Sequence, residues 1–192
     1  MRESGECETK TGGHSVPWVA IALGIGISLA IAALFIPPSG MGMGEGNRKT
    51  ADRNEIKNLT NAVLMFKMEY GKLPSSSERS ADAVIVSKGE FVETLMGFDP
   101  AGLNPREKVF YVPNLARGAD TDHPTGGVYA DSDTGTQTVC DSFGNPFTIV
   151  LDTNYDDVVT DPRTGKELRK SIIVFSHGKD PNNVKDDLLS WQ

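Results

Sequence analysis

The residues best suited to chemistry lie near the C-terminal end, in GKDPNNVKDDLLSW, where Asp180, Asp186 and Asp187 crowd three carboxylates into one short stretch. Calcium takes six to eight oxygens at about 2.3 to 2.6 Å, best supplied by two or three carboxylates on a loop whose carbonyls turn inward. Pro181 to Val184 provides such a turn, and an ion would relieve the repulsion among the acids. The stretch therefore predicts a calcium site. A second acidic run, DTNYDD from Asp152 to Asp157, has oxygens at the first, third and fifth positions of an EF-hand loop. It departs from that loop at the sixth position, Asp157 instead of Gly, and at the twelfth, Arg163 instead of Glu. We read it as a solvated acidic loop.

Other constellations are thin. His14, His123 and His177 have no metal-ligand spacing. Ser176 and His177 are adjacent, so on a strand they point to opposite faces, whereas a nucleophile and its base must converge. Acids such as Glu90 and Glu93 carry little information in a chain of net charge -7. No enzyme is expected. The same charge, with no cluster of Lys and Arg, argues against a nucleic-acid partner, and no small-molecule substrate is implied. Cys7 and Cys140 flank a hydrophobic span, so if that span crosses a membrane they cannot pair within one chain.

These groups must be held by a small number of elements. From Asp52 to Pro74, the apolar residues Ile56, Leu59, Val63, Phe66 and Tyr70 recur at steps of three and four, widened by Ala62 and Met65. That spacing predicts an amphipathic helix, N-capped by Asp52 with Glu55 three residues on and stopped by Gly71 and Pro74. Its apolar face needs a sheet. AVIVS at Ala83 to Ser87 is too short to assign as helix or strand, and Glu90 to Met96 predicts a short helix. Val109 to Val112, Gly126 to Asp131, Pro146 to Asp152 and Ser171 to Ser176 predict strands, since β-branched and aromatic residues lie there between Gly, Pro, Asn and Asp. Hairpin-length connections favour an antiparallel sheet, and thus an α+β head. The loops between, around Arg117 to Gly127 and Asn154 to Lys170, are expected at the solvated rim.

The first part of the chain differs in kind. Val16 to Ile36 carries no charge and, at about 1.5 Å per residue, matches the roughly 30 Å of a bilayer core. It is expected to be a single transmembrane helix, retained because PSG at Pro38 to Gly40 is a poor cleavage site. The resulting organisation is a tail over 1–15, a span over 16–36, a Pro/Gly linker over 37–49 and a head over 50–192.

The order of a hydrophobic span, a helix ending in YGKLP, then DSFGNPF, SHGKD and a terminal DDLLSW resembles the major pseudopilin of type II secretion and its type IV pilin-like relatives. The resemblance runs from about Asn54 to Trp191, with insertions around Ala116 to Thr138 and Asn154 to Lys170. It implies that Tyr70, Gly71 and Pro74 end the long helix, that Gly144, Asn145 and Pro146 turn between strands, and that Asp180, Asp186 and Asp187 hold calcium. It also implies a pilin-like head outside a bacterial inner membrane, partnered by secretion-system or pilin-like subunits and serving protein transport. The chain departs from the family in its span, where no Gly is followed by Phe and by a Glu at the fifth position. Two functions follow: a structural subunit of such an apparatus, or a membrane-tethered binding module that keeps the head and does not polymerise.

Overall fold

In the computed structural model, which describes residues 44–76 and 81–191, helix α1 runs from Glu45 to Tyr70. The expected span over 16–36 lies outside the described residues. Among those described, no helix is long and apolar enough to cross a membrane. The helix starts two turns earlier than the sequence suggested, so it takes in part of the expected linker. Its first turns are held by a Lys49–Glu45 ion pair at 3.0 Å and by the Thr50 hydroxyl donating to the Gly46 carbonyl at 2.9 Å. Asp52 is therefore no N-cap. It sits inside the helix and buries its carboxylate against another part of the head.

The far end follows expectation. Gly71 adopts φ 65 and its N–H donates to the Lys67 carbonyl at 2.8 Å, which closes the last turn in the left-handed conformation that glycine enters without steric cost. The buried stripe is Asp52, Ile56, Leu59, Ala62, Val63 and Phe66. Met65, expected to widen it, is half exposed at 54 % because it lies off that face. Tyr70 is half-buried, its hydroxyl donating to Asn104 Oδ1 at 2.5 Å.

Beneath α1 lies a four-stranded sheet built from β1 (Ala83–Val86), β4 (Thr148–Leu151), β7 (Ile172–Ser176) and β8 (Leu188–Leu189). They stand in that spatial order, and every neighbour is antiparallel. The remaining elements are a short helix, α2 (Glu90–Leu95), and two hairpins, β2 (Gly127–Ala130) with β3 (Gln137–Cys140) and β5 (Val159–Thr160) with β6 (Glu167–Leu168). The architecture is thus α+β, one long helix on an antiparallel sheet.

Alternation along the strands divides the core in two. Ile149, Leu151, Ile172, Val174 and Leu188 belong with the α1 stripe, whereas Val150, Ile173 and Phe175 face the opposite side. On that side Val159 and Leu168 of the β5–β6 hairpin, with Leu189 and Trp191, cover them. The segment expected as a solvated rim loop is therefore partly a lid on the second face of the sheet. Coverage on both faces explains why TIVL and IIVF are apolar at nearly every position.

Two further differences stand out. Val109 to Val112 forms no strand: Phe110 and Tyr111 both donate their N–H groups to the Leu95 carbonyl, at 2.9 and 3.0 Å, and the segment caps α2. Asn104, fully buried, organises the preceding loop by donating its side-chain amide to the Thr94 and Lys108 carbonyls at 2.9 and 2.8 Å. The β2–β3 hairpin joins the end of β1 through Gly89 N–H to Gln137 O at 2.7 Å and Val139 N–H to Ser87 O at 2.9 Å.

Candidate functional site

The DSFGNPF turn is the junction of the head. Asp141 is fully buried and accepts the N–H groups of Phe143 and Asn145 on Oδ1, at 2.8 and 2.9 Å, so its side chain shapes the turn. Its Oδ2 accepts the Ser176 hydroxyl at 2.6 Å. Ser176 Oγ in turn accepts the Gly178 N–H, and Asn145 Nδ2 donates to the Gly178 carbonyl, which locks this turn to the end of β7. On its other side, Ser142 donates both its N–H and its hydroxyl to Asp52 Oδ1, at 2.8 and 2.7 Å. Helix, turn and sheet thus meet on two buried aspartates.

Among the described residues, neither aspartate forms an ion pair. Asp52 Oδ2 is buried without a hydrogen-bond partner. Burial pushes the Asp52 carboxyl up to about 6, against the opposing pull of its bonds from Ser142. Cys140 next door is a buried free thiol, and burial raises it as well, which disfavours its thiolate. Tyr111 donates its hydroxyl to Glu55, and burial pushes that phenol upward.

The three aspartates of the expected calcium site are not gathered around one point. Asp180 is exposed and its Oδ1 accepts the Asn182 N–H at 3.0 Å, forming a local turn. Asp186 is half-buried, with its N–H donating to the Asn183 carbonyl at 2.9 Å. The Asp187 side chain is only 2 % exposed and points instead to Arg163. Among the described residues, no group of three or more His, Cys, Asp and Glu side chains could hold a metal ion. The most buried of the three carboxylates, that of Asp187, already has a cation.

That cation is well held. Arg163 donates Nη1 to Asp187 Oδ2 at 2.5 Å, Nη2 to Asp161 Oδ2 at 2.8 Å and Nε to Asp161 Oδ1 at 3.0 Å. Its guanidinium carbon lies 4.6 Å from the centroid of Phe175 and 5.3 Å from that of Trp191. Burial works against its charge, but the bonds to Asp161 and Asp187 outweigh this and hold the guanidinium above its ordinary value. Burial likewise opposes the charge of Asp161, and the bonds from Arg163 and Thr164 still bring that carboxyl below the usual range.

The remaining candidates have structural tasks or lie apart. Asp152 is buried and accepts the N–H groups of Asp156 and Asp157, at 3.1 and 3.0 Å, so the EF-hand-like run closes on its own first residue and is not fully solvated. Ser176 faces Asp141, while the ring of His177 packs edge-on to Phe175 at 5.3 Å. His123 is exposed, and His14 and Cys7 lie outside the described residues. The residues that reasoning from sequence missed are Asp161 and Arg163. Their only signal is DPRTG, a turn motif carrying a cation in an acidic insertion. Comparison with protein-family models, with curated proteins and with solved structures finds no match to this chain.

Proposed function

We infer that this chain is a membrane-anchored, pseudopilin-like structural subunit whose head lies outside the cytoplasmic membrane and contacts a type II secretion or pilus-like apparatus. One observation carries the reading. The motif residues of the resemblance are those that join the parts of the head: Gly71 ends α1, and the Asp141–Asn145 turn ties α1 to β7 through Asp52, Ser142 and Ser176. Such a head presents the opposite face of α1, where Leu64, Met65 and Met68 are exposed at 37, 54 and 86 %, to a neighbour. The test is cross-linking in the native host through cysteines introduced at Met65 and Met68. A ladder of cross-linked species is expected, and its absence at both positions counts against a subunit role.

A second reading, a tethered binding module, rests on a groove of about 530 Å³ between the first turns of α1 and the 114–126 loop. Arg48, Asp52, Glu55, Asn114 and Arg117 line it, a polar wall that suits a charged or hydrogen-bonding ligand. This module would stay monomeric in the cross-linking experiment. Mass measurement after co-expression with a prepilin peptidase separates the two again: a cleaved, N-methylated chain supports the subunit, and an intact one supports the module.

A further inference from the structure

We propose that Arg163 is a built-in counter-ion that does for this head what a bound divalent cation would do, so that the head closes without calcium. The inference stands on the geometry of the C-terminal cluster and holds whichever functional reading is correct. Asp161 and Asp187 come from distant parts of the chain, the β5–β6 turn and the residue before β8, and their carboxylates are 5 and 2 % exposed. Two acids buried that deeply cannot both stay charged without a cation between them, since each would repel the other in a medium of low dielectric. The guanidinium meets both at once. It binds Asp161 through two nitrogens and Asp187 through a third, which uses the planar fork that an ammonium group lacks.

Its surroundings fit a permanent resident. Phe175 of β7 and Trp191 beyond β8 lie against the guanidinium, with their rings edge to face and centroids 6.3 Å apart. Arg163 itself is 10 % exposed. The effect is to fasten the inserted hairpin and the end of the chain to the same point on the outer face of the sheet. A calcium ion can be removed by dilution or chelation, whereas a covalently attached cation cannot. The functional consequence is a head whose competence does not track the calcium level around it.

The test uses the full chain in detergent, melted in calcium chloride and again in chelator. The unsubstituted protein should melt at the same temperature in both, and a calcium-dependent rise overturns the proposal. Arg163→Met keeps the stem and removes the charge, so its melting temperature should fall by several degrees, and a value equal to that of the parent also overturns it. A loss of packing alone would give the same fall, so a third variant is decisive. Arg163→Met combined with Asp161→Asn and Asp187→Asn removes the stranded charges and should melt well above Arg163→Met alone. If the triple variant melts no higher, or if Arg163→Met does not fold and the triple variant does not fold either, Arg163 acts by shape and the counter-ion role is wrong.

Discussion

At the scale of single residues, the head holds two buried carboxylates whose dependence on pH has opposite sign. Asp52 has its folded value raised from 3.8 to about 6, so the unfolded chain gives up that proton first. Its favourable contribution is complete below about pH 4 and is lost as pH rises through about 6. Asp161 has a lowered folded value, so it contributes above the ordinary carboxylate range and loses that contribution as pH falls below it. The difference in melting temperature between Asp52→Asn and the parent should therefore move in favour of the variant between about pH 4 and pH 7. Melts at intervals of pH check this, and a difference that stays constant over the window rules it out. Neither role was legible in the sequence. Asp52 followed by Glu55 spells a helix start, and only the arrival of Ser142, ninety positions downstream, makes a core residue of it.

Elements were easier to read than residues where one face decides the pattern. The α1 stripe, the strand at Ile172–Ser176 and the stop at Gly71 follow from periodicity and backbone chemistry alone. Strands of two residues such as β5, β6 and β8 have too few positions to display a period, and Val109–Val112 has strand composition but gives the N–H groups of Phe110 and Tyr111 to the Leu95 carbonyl. Phe66→Ala should destabilise the head by about 3 to 5 kcal/mol, the range for a buried aromatic, because its ring is fully enclosed and packs on Tyr70 and Phe110 at 4.8 and 5.3 Å. Met68→Ala, on the exposed face, should cost almost nothing in the same denaturant titration. In the β2 hairpin, Gly127 has φ 147 and an added Cβ would lie 2.5 Å from the Asn114 carbonyl oxygen and 2.8 Å from the Ala116 nitrogen. Gly127→Ala must push apart two backbones that exchange hydrogen bonds at Val128. Gly135 has φ 69 with nothing within 4 Å, so Gly135→Ala should cost only the left-handed penalty of about 1 to 2 kcal/mol. A midpoint for Gly127→Ala no lower than that for Gly135→Ala would show that the close approach is not rigid.

For the molecule as a whole, one apolar cluster takes in Ile56 and Phe66 from α1, Ile149 from β4 and Leu188 from β8, so no part of the head has a core of its own on the α1 side. A fragment of residues 44–192 should therefore unfold in a single step, with far-ultraviolet dichroism of the helix and fluorescence of Trp191 changing together. Separate transitions would mean that the outer cluster around Val159 and Phe175 melts by itself. The same arrangement sets a timetable. The first of the described elements, α1, has its neighbours in β7 and β8, the last in chain order, and β8 lies at one edge of the sheet. Until β8 has been synthesised, the helix has only part of its bed. Released chains that end before Leu188 should thus be cut readily by protease, whereas the chain that continues through Trp191 should resist it.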